Sequence, residues 1–287
     1  MEVVETVESL RTRLDDWRKA SERIVLVPTM GNLHDGHLKL VNEAARIGRR
    51  IVVSIFVNPA QFSESEDFAS YPRSLDDDIR LLEEKPVDLL FNPATDAVYP
   101  ESPYTSVTVP VLSDQLCGKY RPGHFSGVTT VVSKLFNMVQ PDVAVFGEKD
   151  FQQLTIIRKM VADLNFPVRI ESVATVRESD GLAMGSRNRY LSAHERQLAP
   201  YLYKQICEAA GQILAGITDF GDLERRHTIK LQEYGFRPDY VSVRRTSDLK
   251  PAESTDCELV ILAAAWLGKA RLIDNRIVRV EKDRHPG

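Results

Sequence analysis

The chain has 287 residues, of which 43% are hydrophobic and 27% are charged. This composition is ordinary for a globular protein in water, and the length is enough for one large or two moderate domains. Because the net charge is -4, no basic excess would attract nucleic acid or an anionic membrane, and we expect neither as a partner.

The cysteines and the N-terminal sequence indicate a cytoplasmic protein. Cys117, Cys207 and Cys257 are odd in number and widely spaced, which argues against a disulfide framework and against a structural zinc site. No signal-peptide pattern follows Met1. The longest apolar run, residues 259–267, is far shorter than the roughly 20 residues that cross a bilayer, so we expect no membrane span.

Predicted helices and strands alternate through the first half of the chain. Apolar residues at helical spacing predict an opening helix over residues 7–17, and helical segments are expected between the strands that follow. Those strands are predicted at residues 24–27, 51–57, 87–91 and 143–146. The alternation predicts an α/β fold, a Rossmann-like doubly wound parallel sheet with its ligand crevice at the carboxyl ends of the strands.

The pattern changes after about residue 176. Helices are predicted at residues 201–215 and 223–234, and strands at residues 240–243, 259–265 and 277–280. We therefore expect two domains, residues 1–176 and a smaller C-terminal α+β domain at residues 177–287. A polar loop with two glycines, residues 180–188, lies at their boundary and is suited to act as a hinge or lid.

Two histidines follow the first predicted strand, in the sequence P-T-M-G-N-L-H-D-G-H. On a helix, His34 and His37 would share one face and could contact the same phosphate, close to the positive end of the helix dipole. Gly31 and Gly36 would let the backbone approach the ligand. A metal site and a helix cap are the alternatives. The H-x-G-H pattern resembles the nucleotide-binding signature of the nucleotidyl-transferring α/β phosphodiesterase superfamily.

Two later segments offer further groups for a polyphosphate. Lys149, in G-E-K-D, directly follows a predicted buried strand and would supply a point charge near the crevice. Ser186 and Arg187 follow Gly185 in a loop that is able to fold over phosphates. The alternatives are a solvated charged loop for the first segment and ordinary polar surface for the second.

Two amides, an arginine and an acidic run are the remaining candidates for ligand binding. Asn58 and Gln61 follow the strand at residues 51–57, and Gln61 can both donate and accept, as recognition of a hydroxy acid requires; a turn amide is the alternative. Arg121 precedes a Pro-Gly turn that suits a flap. The acids at residues 76–78 can hold Mg²⁺ through water, although adjacent acids on a helix more often form a solvated face.

These motifs together resemble the pantothenate synthetase family, in the family's order and over nearly the whole chain. They are P-T-M-G-N-L-H-D-G-H, F-V-N-P-A-Q-F, Y-P-R, R-P-G-H-F, F-G-E-K-D-F-Q-Q-L, D-G-L-A-M-G-S-R-N, V-I-L-A-A-A-W-L-G and A-R-L-I-D-N. The resemblance implies ATP-dependent condensation of (R)-pantoate with β-alanine through a pantoyl adenylate, with release of AMP and pyrophosphate. It also implies Mg²⁺ as cofactor, a homodimer, and a C-terminal domain that closes over the ATP site.

The resemblance assigns the site residue by residue. His37, His34 and Lys149 would be catalytic, Gln61 and Gln153 would bind pantoate, and Gln61 would also border β-alanine; Asn58 and Arg121 are of second rank. ATP would be bound by Met30, Gly31, Asn32, Leu33, His34, Asp35, Gly36, His37, Gly147, Glu148, Lys149, Asp150, Val176, Met184, Gly185, Ser186 and Arg187.

Gly185 departs from the family pattern, which usually has two serines before the arginine of this loop. The missing hydroxyl leads us to expect weakened or relocated phosphate contacts. We expect Gly185→Ser to leave the activity equal or to raise it.

Two other functions stay open at this point. One is another H-x-G-H enzyme that transfers a nucleotidyl group to a phosphate substrate; the other is a non-catalytic ATP sensor. An aminoacyl-tRNA synthetase would need a basic RNA-binding region, which the charge balance does not offer.

Overall fold

The computed structural model describes residues 1–63, 68, 71–100 and 105–281. The chain forms two compact units. The first consists of Met1–Glu148 and Gln152–Thr175, and the second of Lys149–Phe151 and Val176–Gly287. A three-residue piece that carries Lys149 therefore groups with the C-terminal half, while the residues on either side of it belong to the first unit.

A parallel sheet forms the centre of the first unit. In the described part of the chain it has six strands: β1 (Glu2–Val4), β2 (Ile24–Thr29), β3 (Arg50–Ile55), β4 (Leu89–Phe91), β5 (Val143–Gly147) and β6 (Arg169–Val173). Their order is β1-β4-β3-β2-β5-β6, and every neighbouring pair is parallel. The strand order reverses between β2 and β5, so the ligand crevice of such a sheet lies at the carboxyl ends of these two strands.

Helices connect the strands along this part of the chain. They are α1 (Val7–Lys19), α2 (Asp35–Ile47), α3 (Leu75–Glu83), α4 (Thr95–Val98), α5 (Cys117–Tyr120), α6 (His124–Val139) and α7 (Phe151–Asp163), with 3-10 helices at Pro59–Gln61 and Glu148–Asp150. The predicted Rossmann-like doubly wound sheet is confirmed.

Burial on both faces explains why the strands of this sheet are continuous apolar runs. Val25 and Val27 of β2 pack in one cluster with Leu38 and Val41 of α2. Leu26, which points to the opposite face of β2, is also fully buried. A strand buried on one face would instead alternate polar and apolar residues.

The second unit has an antiparallel sheet and its own core. The sheet has the order β7-β8-β9, with β7 (Arg237–Arg245), β8 (Glu258–Leu267) and β9 (Ala270–Arg279). Its helices are α8 (Ala193–Leu198), α9 (Tyr201–Leu214) and α10 (Phe220–Glu233), with a 3-10 helix at Ser186–Tyr190. Leu202, Ile206, Ala209 and Ile213 form the buried stripe of α9 and pack in the cluster that includes the sheet. The predicted smaller α+β part is confirmed.

Three strands differ from the sequence predictions. β1 was not predicted because three residues carry too short a pattern, and β6 was not predicted because R-I-E-S-V mixes charged and apolar residues in an edge strand. β9 begins at Ala270 rather than at residue 277, although Asp274 and Asn275 are residue types that strands disfavour. None of the described helices is long and apolar enough to cross a membrane.

Candidate active site

The last residue of the loop after β2 caps the amino end of α2. His34 is the N-cap of that helix, and its Nδ1 accepts a hydrogen bond of 3.1 Å from the Gly36 N–H. A neutral imidazole that accepts at Nδ1 carries its proton at Nε2, which is then a donor. His34 therefore acts as the helix cap that the sequence left as an alternative. Asp35 is exposed in the first turn, where a negative charge suits the helix dipole.

The two histidine rings lie side by side. The centroids of His34 and His37 are 4.0 Å apart with an interplanar angle of 32°, and the His37 N–H donates to the His34 carbonyl at 2.8 Å. Both residues are partly buried at the carboxyl end of β2, beside the point where the strand order reverses. The two rings therefore lie together at the start of α2, as the spacing predicts, and their binding of one ligand remains a prediction.

Asp78 of α3 fixes the backbone of the same loop. Its carboxylate accepts from the Asn32 N–H at 2.8 Å and from the Leu33 N–H at 2.7 Å, and the side chain is almost fully buried. Burial raises the pKa of Asp78, and these two hydrogen bonds oppose that effect. No local pattern connects residue 78 to the loop, so this role of Asp78 could not be predicted from the sequence.

Gly31 is required by the backbone of this loop. Its φ is +78°, in the left-handed region that favours glycine. A Cβ there would lie 3.0 Å from Asp78 Oδ2 and 3.1 Å from Ile55 Cγ2. The glycine thus lets the carboxylate approach the loop closely enough to accept both amide protons.

The acidic run at residues 76–78 does not have the arrangement of a magnesium site. Both Asp78 oxygens are engaged with backbone N–H groups, and Asp77 is exposed and pairs with Arg80 at 3.2 Å. Among the residues that the structure describes, no group of three or more His, Cys, Asp or Glu side chains could hold a metal. The solvated-face alternative is also incomplete, since Asp78 points inward.

A chain of hydrogen bonds orients the side-chain amide of Gln61. The Tyr99 hydroxyl donates to Asn58 Oδ1 at 3.0 Å, and Asn58 Nδ2 donates to Gln61 Oε1 at 3.2 Å. Because Gln61 Oε1 accepts, Nε2 is the donor end of the amide, and it lies 2.6 Å from Met30 Sδ. Asn58 and Gln61 are both buried, and burial raises the pKa of Tyr99 to about 12, so its hydroxyl remains a donor at neutral pH.

His124 holds the backbone at Gln61. Its Nε2 lies 3.0 Å from Arg121 Nη1, and its Nδ1 lies 2.8 Å from the Gln61 carbonyl. Since a guanidinium only donates, Nε2 is the acceptor and Nδ1 carries the proton. No role for His124 was predicted from the sequence. The R-P-G-H-F motif, which contains both Arg121 and His124, was the signal that could have connected it.

The adjacent glutamines of α7 have different surroundings. Gln152 is buried, donates to the carbonyls of Leu112 and Gln115 at 2.9 and 2.7 Å, and accepts from the Cys117 N–H at 3.0 Å. Gln153 is partly exposed. The side chain of Gln152 is thus fully used within the fold, which leaves Gln153 as the glutamine suited to a ligand.

The segment before α7 has its own contacts. Glu148 accepts from Ser172 Oγ at 2.9 Å, and Gly147 ends β5.

In the second unit, the predicted lid segment lies partly in a turn between Arg177 and Ala183, which form an antiparallel β-bridge, and continues into a 3-10 helix. The Met184 N–H donates to the Val176 carbonyl at 2.9 Å, which joins two predicted ATP-binding residues. Asn188 Nδ2 donates to the Ala183 carbonyl at 3.0 Å. Ser186 and Arg187 lie in the 3-10 helix, and both are partly buried.

Lys149 lies among charges of both signs. Burial lowers its pKa; Asp150 and Asp274 act in the opposite direction, while Arg187 and Arg177 lower it further. All of these charged residues belong to the second unit. The arrangement brings two predicted phosphate-binding cations, Lys149 and Arg187, close together.

Gly185 makes room for the Lys149 ammonium. The backbone at Gly185 is extended, with φ of -171°, so no conformational reason requires glycine. A Cβ at this position would lie 2.1 Å from Lys149 Nζ. The contact would make the flexible end of the Lys149 side chain move, so Gly185→Ser would change the position of the ammonium as well as add a hydroxyl.

Similarity to known proteins covers almost the whole chain. The family model described as pantoate-beta-alanine ligase matches residues 2–277. The pantothenate synthetase of Methylococcus capsulatus is 52% identical over 286 residues, with 99% of this chain and 100% of that protein covered. A crystal structure of the Thermus thermophilus pantothenate synthetase has 44% identity and a TM-score of 0.90, with coverages of 96% and 99%. The pantoate-beta-alanine ligase of Francisella tularensis, complexed with beta-gamma ATP and beta-alanine, has 32% identity and a TM-score of 0.82, with coverages of 96% and 97%.

Proposed function

The chain belongs to the pantoate-beta-alanine ligase family, and from this membership we propose how its residues act. The enzyme condenses pantoate with β-alanine in an ATP-dependent reaction that forms pantothenate. The observation that carries this function is the match of family and relatives over both full lengths. Another H-x-G-H nucleotidyltransferase and a non-catalytic ATP sensor are therefore not favoured.

We place a pantoyl adenylate between two steps. A carboxylate oxygen of pantoate attacks the α-phosphorus of ATP, the bond from that phosphorus to the β-phosphate bridging oxygen breaks, and pyrophosphate leaves. The amine of β-alanine then attacks the acyl carbon, the bond from that carbon to the adenylate oxygen breaks, and AMP leaves while the nitrogen gives up its proton. Both first-step reactants are anions, so the site has to supply donors and positive charge where charge builds on phosphorus.

In the first unit, the loop and helix start at residues 30–37 would bind ATP. The proposal assigns His37 and His34 to the phosphates as donors, and the paired rings 4.0 Å apart support this assignment. The cap contact at Nδ1, which makes Nε2 the protonated nitrogen of a neutral His34 ring, supports it as well. Gly147 and Glu148, which directly follow the buried part of β5, belong to the same nucleotide site in this proposal.

From the second unit, Lys149 and Arg187 would neutralise phosphate charge during pyrophosphate release. Arg187 is among the charges that act on Lys149, and two neighbouring cations suit a ligand that carries several negative charges. Asp150, Gly185 and Ser186 complete the group around the phosphates. Val176 and Met184, joined by a backbone hydrogen bond, would lie on the nucleotide as well.

Gln61 and Gln153 would bind pantoate, and Gln61 would also border β-alanine. The Tyr99–Asn58–Gln61 chain supports this role because it fixes Gln61 Nε2 as a donor, which suits carboxylate and hydroxyl oxygens of the substrate. Neutral amides suit a carboxylate substrate better than a phosphate substrate, for which more cations would be needed.

We propose that Mg²⁺ enters as the ATP complex, held mainly by phosphate oxygens, where it would offset their negative charge. This is the usual form for magnesium at phosphate-transfer sites. The acids at residues 76–78 do not fit a resident metal, because Asp78 is engaged with the loop backbone.

A homodimer and a cytoplasmic location complete the proposal, and both rest on the resemblance to the family. Sedimentation velocity tests the first directly, since one chain has a mass of 32.4 kDa. A single species of twice that mass is expected, and a single species of monomer mass would contradict it.

Isotope transfer tests the adenylate. Pantoate carrying oxygen-18 in its carboxylate is incubated with ATP, Mg²⁺ and β-alanine, and AMP is analysed by mass spectrometry. The attacking oxygen stays on phosphorus when the acyl bond breaks, so AMP gains one labelled oxygen. β-Alanine labelled in its carboxylate is the matched control and leaves AMP unlabelled. Label in inorganic phosphate, with unlabelled ADP as the other product, would instead indicate an acyl phosphate and would exclude the adenylate.

A further inference from the structure

Asp274 and Asn275, two consecutive residues of β9, act on Lys149 although they are far from it along the chain. Asn275 Nδ2 donates to the Lys149 carbonyl at 2.9 Å, and the Asn275 N–H donates to Asp274 Oδ1 at 2.8 Å. Asp274 is 3% exposed and Asn275 is 7% exposed. Polar residues in a strand are uncommon, and two buried ones in succession need a reason.

Arg177 occupies the other side of the Asp274 carboxylate. Its Nη1 and Nη2 donate to the two carboxylate oxygens at 2.7 and 2.9 Å, and Nη1 also donates to the Gly181 carbonyl at 3.1 Å. Its guanidinium carbon lies 3.2 Å from the centre of the Tyr203 ring. Arg177 is therefore engaged on several sides within the fold and is poorly placed to bind phosphate itself.

Charges of both signs act on Lys149, and two of them, Asp150 and Asp274, are anions. Burial lowers the pKa of Lys149, and Arg187 and Arg177 add to that effect, whereas Asp150 and Asp274 oppose it. Asp150 is exposed to solvent, so its charge is more strongly screened than that of the buried Asp274. Asp150 and Asp274 both favour the charged form of Lys149, and Asp274 is the buried one of the two.

We propose that Asp274 and Asn275 are positioning residues for Lys149, Asn275 through the Lys149 main chain and Asp274 through the negative charge that balances Lys149 and Arg177. The proposal rests on the proposed action of Lys149 on the ATP phosphates. It also gives a physical reason why Lys149–Phe151 groups with the second unit, since β9 holds that piece by its backbone.

The test compares Asp274→Asn with a matched ion pair on the same sheet. Asp239 of β7 pairs with Arg271 of β9 at 2.8 Å and is also largely buried, but neither residue is among the charges that act on Lys149. The rate of pantoate-dependent pyrophosphate release is measured against pH for both variants, together with thermal unfolding. Loss of a nearby opposite charge shifts a pKa by about one unit or more, so the alkaline limb of Asp274→Asn is expected at lower pH, with rates there about tenfold lower. Asp239→Asn is expected to leave the alkaline limb of the pH–rate profile where it is in the wild type.

Two further variants separate position from charge. Asn275→Ala removes the hydrogen bond to the Lys149 carbonyl, which should lower the rate by about twofold to tenfold without moving the alkaline limb. Lys149→Arg carries a charge at every pH used, so Asp274→Asn in that background should show no shift of the limb. Equal effects of Asp274→Asn and Asp239→Asn, following thermal stability alone, would overturn the proposal.

Lys149→Met distinguishes this proposal from the function on which it rests. If Lys149→Met keeps the wild-type rate, the proposed action of Lys149 fails. If Lys149→Met loses the rate while Asp274→Asn and Asn275→Ala both remain like wild type, only the positioning role fails. The proposal predicts that Asp274→Asn adds no further loss to Lys149→Met.

Discussion

At the scale of single residues, a side chain at position 185 would overlap the ammonium of Lys149. The family usually has a serine where this chain has Gly185, and a Cβ there would lie 2.1 Å from the Lys149 ammonium. The sequence alone points only to a lost hydroxyl. The structure adds that the ammonium uses the space of the missing side chain, so the substitution acts on two groups at once.

We therefore predict that Gly185→Ala lowers the rate of pantoate-dependent pyrophosphate release by about tenfold, since its Cβ displaces the ammonium and adds no new donor. Gly185→Ser brings the same displacement together with a hydroxyl and should retain more activity than Gly185→Ala. Steady-state kinetics of the two variants check this. Wild-type rates in both would show that the position of the Lys149 ammonium does not matter for the reaction.

The histidine pair and the lysine carry the largest expected effects. His37→Ala or Lys149→Ala should lower adenylation by on the order of 10²-fold or more, as for loss of an oriented donor in the transition state. Lys204→Ala serves as a control because Lys204 lies on α9, outside the proposed ATP site. Single-turnover pyrophosphate release measures the step, and unchanged rates in both variants would remove these residues from the site.

At the scale of elements, α3 holds the loop between β2 and α2 through Asp78. Asp78→Asn replaces one acceptor oxygen by a donor and leaves a buried N–H without its partner, which costs about 1–3 kcal/mol in the free energy of unfolding. We also expect a raised KM for ATP, because the displaced loop carries His34. Asp77→Asn, on the exposed side of the same helix, is the control. Identical melting temperatures and KM values in the two variants would contradict the role of Asp78.

Tyr99 orients the amides that follow β3. Tyr99→Phe removes the donor to Asn58 Oδ1, although Asn58 still accepts from the Ala60 N–H at 3.2 Å. Loss of one such hydrogen bond predicts a KM for pantoate raised by about twofold to tenfold, with kcat little changed. Tyr201→Phe, in the stacked pair with Tyr234, is the control. A fall in kcat at constant KM would assign Tyr99 a different role.

The sequence predicted the parts of the site that depend on local pattern. A strand followed by a helix start placed His34 and His37 together, because the cap and the shared face need only a few consecutive residues. It could not predict that Asp78 binds the Asn32 and Leu33 amides, that His124 binds the Gln61 carbonyl, or that Asn275 binds the Lys149 carbonyl. These contacts connect residues far apart along the chain, and no spacing rule brings them together.

At the scale of the whole molecule, the order of the strands determines where the candidate site residues of the first unit lie. β2 lies between β3 and β5, so the loops after β2 and β5 begin at the point where the order reverses. The segment after β2 carries His34 and His37, and β5 ends at Gly147, which Glu148 follows. The six-stranded order could not be read from the sequence, because the edge strands β1 and β6 carry weak patterns, but the central strands were predicted from their apolar runs.

The most direct measurement of the central claim is pyrophosphate release from ATP and Mg²⁺ with pantoate alone and then with pantoate and β-alanine, while AMP and pantothenate are followed. The ligase reaction predicts that release requires pantoate, turns over repeatedly only with β-alanine, and yields AMP and pantothenate in equal amounts. ATP that binds without pantoate-dependent release of pyrophosphate would contradict the assigned reaction.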